Sequence, residues 1–390
     1  MATESKSIAI FSAQYPPHMG GIESFTQNMA QALATLGHKV LVVTNDTERL
    51  DMGVTREGDV EVMRLPCHPL VSGRLPLPLN NGRRRALLRE LGSRRFDGVL
   101  VNARFYPHSL LGMKVARSQG LDPVVLDHGS AWLSFSNPVL DPIVRLYERA
   151  FTAYGKLRYK PRYYGISKKS SEWLGTFGIK SCGEIANSID APEYREQASG
   201  RDFKAELGLP DDAFVVAFVG RFIPEKGISS ILEASRSEEL RSRGVVFLLA
   251  GDGPLAPEVE SAQGASLKWF GRLGRPDVSA LLQQADALCL PTRSEGFSTT
   301  LLEASACGCP SVVTDVGGAK ELIPSEEYGT IIASMDAREL IRTLSRLADN
   351  REVAASQGEK CRDWVERSCC WRSSAQSLVE AFWRMPAEVE

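Results

Sequence analysis

Short apolar runs of four to seven residues alternate along this chain with longer stretches whose apolar positions recur every third or fourth residue. Ile8–Phe11 reads as a strand, Ile22–Leu36 as an amphipathic helix and Lys39–Thr44 as a second strand. Gly98–Val101 and Val124–Leu126 continue the series. Such alternation predicts a parallel sheet with helices on both faces. Across 188–212 the pattern lapses into the polar, turn-rich SIDAPEYREQASGRDFKAELGLPDD, which reads as a linker or domain boundary. It then restarts: Phe214–Val219, a helix within PEKGISSILEASRSEEL, and strands at Val245–Ala250, Leu267–Phe270, Ala287–Leu290, Pro310–Thr314 and Thr330–Ile332. The closing WRSSAQSLVEAFWRM predicts an amphipathic helix offering Trp371, Leu378, Phe382 and Trp383 for packing.

The expectation is therefore an α/β protein of two doubly wound, Rossmann-like domains facing across a cleft. Residues 1–190 would form the first and 191–371 the second, with a helix at about 372–390 packing back on the first. A chain of 390 residues exceeds what one hydrophobic core usually supports. Its apolar and charged fractions are those of a soluble globular protein. The net charge of −2 hides an asymmetry. The first 190 residues carry roughly +7 and the remainder roughly −9, which points to an anionic partner for the first half or to chance surface composition.

The eight cysteines lack metal-ligand spacing and read as small core residues of a reduced, cytoplasmic chain. The opening MATESKSIAIF reads as a first strand rather than a leader, and no stretch is apolar enough to span a bilayer.

The segment TRSEGFSTTLLEASACGCP, 292–310, sets two carboxylates around three hydroxyl residues. Ser298, Thr299 and Thr300 lead into an apolar run and predict a helix N-terminus. Helical rise then places Glu295 and Glu303 about 12 Å apart. That is too far for a pair acting on one glycosidic bond, which needs about 5–9.5 Å. The two suit opposite ends of one extended ligand, with helix-terminal amides between them for an anion. A nucleotide-diphosphate sugar has that shape.

Arg221 and Lys226 follow a predicted strand end and suit a diphosphate; solvated surface charges are the plain alternative. Gly20 and Gly21 follow the first strand and leave amides free, unless they form only a tight turn after Pro16-Pro17. Glu23 begins the next helix, where its charge is favourable. His128 stands at the carboxyl end of a strand.

These motifs, in this order, resemble family 4 retaining glycosyltransferases of the GT-B fold. EGFSTTLLEASACGCPSVVTDVGGAKELI (295–323) and VGRFIPEKG (219–227) carry the resemblance most strongly; AGDGP (250–254), GG (20–21), DHG (127–129) and CW (370–371) add to it. In ANSID the usual glycine after Asn187 is Ser188, while Asp190 is kept. The resemblance implies an acceptor domain followed by a nucleotide-sugar donor domain. Arg221 and Lys226 would neutralise the leaving diphosphate, Glu303 take the ribose hydroxyls and Glu295 the transferred sugar. Phe297, Ser298 and Thr299 would offer amides to phosphate or sugar oxygens, and Gly20 and Gly21 would lie against the donor phosphate. Arg272 and Leu273 would meet the base, uridine by family habit. His128 would lie near the reacting centre. The implied chemistry is front-face attack, with the leaving phosphate taking the acceptor proton.

No Asp-x-Asp pair occurs, so neither a metal nor another cofactor is expected. Three alternatives stay open: a catalytically silent partner of another transferase, a nucleotide-sugar epimerase, and a phosphorylase, though the pyridoxal type needs a far longer chain. The expected partners are a nucleotide-sugar donor and a glycan, lipid-linked or other hydroxyl acceptor, with no nucleic acid. Two basic clusters suggest an anionic membrane surface on the cytoplasmic face. One is Arg83, Arg84, Arg85 and Arg89. The other is Arg145, Arg149, Lys156, Arg158, Lys160 and Arg162, interleaved with Leu146, Tyr147, Phe151, Tyr154, Leu157 and Tyr159.

Overall fold

The computed structural model describes residues 4–18, 20–50, 52–70, 73, 75–133 and 137–383. The chain forms two compact units, one of residues 1–187 with 371–390 and one of 188–370.

The first unit holds β1 (Ser7–Phe11), β2 (Lys39–Asn45), β3 (Val54–Glu57), β4 (Val60–Leu65), β5 (Cys67–Leu70), β6 (Leu75–Pro78), β7 (Gly98–Asn102), β8 (Val124–Asp127) and β9 (Arg162–Gly165). Seven of these make one sheet in the order β3-β4-β2-β1-β7-β8-β9, while β5 and β6 pair alone. Only β3 runs antiparallel in the large sheet. Central strands such as β7 and β8 are buried throughout, as expected for strands covered on both faces.

The helix Gly21–Thr35 buries Phe25, Met29 and Leu33 at four-residue spacing. It packs against the last described helix, Trp371–Trp383, where the rings of Phe25 and Trp371 meet edge to face at 5.6 Å. Gly98 has no side chain for a steric reason: a Cβ there would stand 2.6 Å from the Phe382 ring. The carboxyl-terminal helix thus returns to the first unit. Leu378 and Phe382 are buried in it, whereas Trp383 is exposed.

The second unit is a six-stranded, wholly parallel sheet. Its strands are β10 (Phe214–Val219), β11 (Val245–Ala250), β12 (Leu267–Trp269), β13 (Ala287–Leu290), β14 (Ser311–Thr314) and β15 (Thr330–Ile332). The order β12-β11-β10-β13-β14-β15 puts the first strand of the unit at the centre. The chain winds outward to β12, then crosses back to begin the other half at β13. The point where winding reverses lies between β10 and β13, and loops at the carboxyl ends of such strands form ligand crevices.

The segment 188–212, whose composition reads as a linker or domain boundary, begins where the two units divide and opens the second. It forms the helices Ala191–Glu196 and Phe203–Leu207, capped by Asp190 and Asp202, whose carboxylates accept from Glu193 N at 3.1 Å and Ala205 N at 3.0 Å. Tyr194 and Phe203 are fully buried. Two apolar anchors in a polar stretch hold it to the second unit.

Candidate functional site

In the second unit the loops after β10, β11, β12 and β13 are tied together by backbone hydrogen bonds. Phe222 N donates to Asp252 O at 2.9 Å and Gly251 N to Gly271 O at 2.7 Å. On the other side of β10, Arg293 N donates to Glu225 O at 2.7 Å. Gly251 has a positive φ of 148°, and its lack of a side chain is required because any Cβ would collide with the carbonyl of Gly220. Arg221, Lys226, Arg272 and Glu295 all project from this bonded rim.

Lys226 closes the turn Pro224–Lys226 at the start of the helix Ile228–Ser235. Its ammonium is paired with the Glu295 carboxylate from the loop after β13, both side chains being largely buried. A lysine at a helix N-terminus, unfavourable by the dipole alone, is met here by a carboxylate of the protein itself. The pair spans the point where the sheet winding reverses. Arg221 is exposed. Arg272 is exposed too and pairs with Asp252 at 3.3 Å, while Leu273 beside it is half-buried.

Ser298 caps the helix Thr299–Ala306, its hydroxyl accepting from Leu301 N at 3.3 Å. The Ser298 side chain is thus a helix cap, and Thr299 is exposed on the first turn. The Phe297 ring is buried beneath Gly318, where a Cβ would approach it to 2.5 Å. Gly317, at φ +53°, faces the carbonyls of Glu295 and Gly296, which a Cβ would meet at 2.7 and 2.8 Å. These two glycines fix the course of the glutamate loop, a role that sequence reasoning did not assign. The signal was the adjacent pair directly after a strand end.

Glu303 sits on the second turn of that helix. Burial pushes its carboxyl up to about 7, against the pull of Arg275. Arg275 lies 5.1 Å over the ring of Tyr194, whose hydroxyl is buried without a hydrogen-bond partner. Glu303 is therefore a carboxylate short of solvation, its charge felt by the unsatisfied Tyr194 phenol, a place where polar ligand hydroxyls would be well received.

In the first unit the candidates surround β1, β7 and β8. Gly20 is extended (φ −179°), a shape any residue adopts, and the Glu23 carboxylate is packed against it where a Cβ would stand. Gly21 has open space around it and begins the helix. Neither glycine is required by its torsions. Burial pushes the Glu23 carboxyl up, opposed by His18 at 3.8 Å.

His128 is the part-buried end of a polar chain that runs inward through Asn102 and Thr26. Thr26 Oγ1 accepts from Asn102 Nδ2 at 2.8 Å, so Asn102 Oδ1 faces His128 Nε2 at 3.0 Å. That arrangement places the imidazole proton on Nε2 and leaves a lone pair on Nδ1. The ring packs edge-on against Phe25 at 5.0 Å, and burial lowers its pKa to about 3. His128 is thus a neutral hydrogen-bonding group of fixed tautomer.

Beneath it Asp127 accepts two hydrogen bonds from Arg104, at 2.7 and 2.8 Å, and Arg104 also donates to Glu148 at 2.9 Å. All three are almost completely buried, with Phe177 4.0 Å beneath the guanidinium. Asn102 and Arg104 escaped the sequence reading. Asn102 is a polar residue ending an otherwise apolar strand, a legible signal; Arg104 sits in a loop with nothing to distinguish it. Among the described residues no group of three or more His, Cys, Asp or Glu side chains is placed to hold a metal.

Comparison with known proteins agrees with this architecture. The family model for Glycosyl transferases group 1 matches residues 200–366, and that for Glycosyltransferase Family 4 matches residues 19–191. The alpha-D-kanosaminyltransferase of Streptomyces kanamyceticus is 26% identical over 83% of this chain and 88% of its own length. The GDP-mannose-dependent monoacylated alpha-(1-6)-phosphatidylinositol monomannoside mannosyltransferase of Corynebacterium glutamicum is 25% identical over 96% and 97%. Among solved structures, Anabaena HepE in complex with UDP superposes with a TM-score of 0.72 at 17% identity, covering 97% of this chain and 99% of that one.

Proposed function

The chain belongs to the family 4 glycosyltransferases of the GT-B fold, and from that premise we propose that it is a retaining, metal-independent hexosyltransferase. It moves a sugar from a nucleoside-diphosphate donor, with uridine as the base, to an acceptor hydroxyl in glycan or glycolipid biosynthesis. The observation that carries this reading is the Lys226–Glu295 pair at the reversal of the second sheet, one turn before the helix that bears Glu303.

In this reading Arg221 and Lys226 meet the diphosphate and stabilise the charge that grows on it as the glycosidic bond breaks. Amides of Phe297, Ser298 and Thr299 add to that field. Glu303 accepts the ribose hydroxyls, Glu295 those of the transferred sugar, and Arg272 and Leu273 flank the base. Gly20 and Gly21 lie along the donor phosphates. His128, neutral with its proton on Nε2, accepts a hydrogen bond at Nδ1 near the reacting centre. The acceptor hydroxyl attacks the anomeric carbon on the face the diphosphate leaves, and its proton passes to the departing phosphate oxygen.

The uridine reading follows the UDP bound in HepE; the mannosyltransferase of Corynebacterium, named for GDP-mannose, makes guanosine its rival. The phosphatidylinositol acceptor in that enzyme's name favours a lipid-linked acceptor here, with the protein peripheral on the cytoplasmic face of a membrane. Among the described residues no helix is long and apolar enough to cross a bilayer.

Incubation with a panel of UDP-, GDP- and ADP-sugars, with nucleotide release as the readout, tests the donor. Proton NMR of the product tests the anomeric outcome, and excess chelator tests metal independence. Release from no donor would overturn the transferase reading in favour of a silent partner. Epimerised donor without release would favour an epimerase.

A further inference from the structure

The helix Leu140–Tyr159 presents two unlike faces. Glu148, Thr152, Gly155 and Tyr159 point inward at spacings of three and four. The opposite side carries Ile143, Leu146, Tyr154 and Leu157, exposed by 60%, 68%, 53% and 77%, with Val139 just before the helix at 70%. These positions follow one another around a single stripe that Ala150 and Ala153, also exposed, complete. Large aliphatic side chains left in water over some four turns of one helix are not ordinary surface composition.

The charges around the stripe have one sign. Arg145, Arg149, Arg158 and Lys160 are exposed. Of the two acids on the helix, Glu148 is turned into the core onto Arg104 and Asp141 is half-buried in the first turn. The other basic cluster is weaker: Arg84 is buried, its guanidinium donating to Pro66 O at 3.0 Å.

We propose that this face docks on an anionic lipid bilayer. The aliphatic stripe enters the boundary between headgroups and acyl chains while the arginines and Lys160 meet lipid phosphates. An amphipathic helix with a cationic border is the form that lies in such a boundary. The inference rests on the peripheral, lipid-linked reading above and assigns it a surface. Charge complementarity decides the occupant, since among the described residues of this helix no acid is exposed to offer a cationic or mixed protein partner its counterpart.

The test is co-sedimentation of the full chain with vesicles of phosphatidylcholine alone and of an equal mixture with phosphatidylglycerol. Binding to the mixed vesicles at low salt, weakened at high salt, is expected. The triple variant Ile143→Ser, Leu146→Ser, Leu157→Ser should lower the partition coefficient roughly tenfold or more. The triple variant Arg83→Ser, Arg85→Ser, Arg89→Ser should bind nearly as the parent does. Nucleotide release from free donor, unchanged in the first variant, confirms that it is folded. No binding to anionic vesicles, or equal binding by the aliphatic variant, overturns the proposal. A dimer in solution that the aliphatic variant abolishes would assign the face to a second copy instead. Vesicle binding by a protein that releases no nucleotide would sink the transferase reading and leave the docking face standing.

Discussion

His128 and Asn102 are joined through Nε2 and Oδ1 at 3.0 Å, and Thr26 fixes which way the Asn102 amide faces. The histidine tautomer is therefore set one residue away from the histidine. Asn102→Asp places a carboxylate against the ring and favours the imidazolium. In the parent, NMR titration should show His128 neutral down to about pH 3, and in Asn102→Asp its pKa should rise by at least a unit. Turnover should fall while nucleotide affinity changes little. A parent His128 that titrates near its ordinary value would refute the buried, fixed-tautomer description.

The same depression gives an acid dependence of stability. His128 and His108 are both held neutral by burial, at about 3 and about 4, below the ordinary value of 6.5. The unfolded chain therefore binds more protons than the folded one between those limits. Their contribution is fully present above about pH 6.5 and is lost as pH falls. Urea denaturation should show stability dropping between pH 6.5 and 4.5, and replacing His108 by an uncharged isostere, His108→Asn, should flatten part of that slope. An unchanged slope would show that other groups set it.

Lys226 and Glu295 act as one unit, so their replacements should not add. Lys226→Ala and Arg221→Ala should each cut turnover by about two orders of magnitude, because the charge they oppose grows as the bond breaks. Glu295→Ala removes the carboxylate that faces Lys226 and should cost turnover while sparing nucleotide affinity. The double variant Lys226→Ala, Glu295→Ala should be little worse than Lys226→Ala alone. Simple additivity of the two losses would separate the residues into independent roles.

Legibility followed the strength of the local pattern. The strands β10, β11, β13 and β15 stand at the positions their apolar runs predict, since a strand buried on both faces must be continuous in hydrophobicity. The strands β3 to β6 went unseen: β3 lies at the edge, β5 and β6 form a separate pair and carry prolines, and β4, though interior and mostly buried, has its apolar run broken by Glu61 and Arg64. The helix Leu140–Tyr159 was legible as a basic segment interleaved with apolar residues, but its faces were not. Tyr147, Phe151 and Tyr159 look interchangeable with Leu146, Tyr154 and Leu157 in composition, yet only the latter three face solvent. In the second unit the motif residues were visible because they sit at strand ends. Arg104 was not, because what matters about it is a partner 23 residues away; Asn102 offered the cue of a polar strand end, but not its partner 26 residues on.

Arg104 serves two buried carboxylates, which makes its loss costlier than that of a surface ion pair. Arg104→Ala leaves Asp127 and Glu148 in the core without their cation, a change worth about 3–5 kcal/mol of stability. Arg104→Met with Asp127→Asn and Glu148→Gln removes all three charges and should recover much of that loss. Chemical denaturation of the two variants decides it. If Arg104→Ala unfolds within about 1 kcal/mol of the parent, water reaches the carboxylates and the site is not sealed.

Glu303 provides the sharpest link between burial and binding. Burial on the helix Thr299–Ala306 pushes its carboxyl up to about 7, with Arg275 opposing only in part. Ribose hydroxyls donating to the carboxylate stabilise its ionised form, so binding lowers the folded pKa and releases a proton. Nucleotide affinity should therefore be flat above about pH 7 and fall as pH drops below it, approaching tenfold per unit. The stability term has the opposite sense: a carboxyl raised above its ordinary 4.5 favours the fold at low pH, and that contribution is lost as pH rises through 7. Titration calorimetry of the nucleoside diphosphate at several pH values, in buffers of different ionisation enthalpy, reads both the affinity and the released proton. Glu303→Gln should bind more weakly, by about 1.5–3 kcal/mol for the lost charge-assisted bond, and should keep only the pH dependence and proton exchange that the nucleotide's own terminal phosphate brings. A parent whose affinity is level from pH 5.5 to 8 would mean that Glu303 does not face the nucleotide.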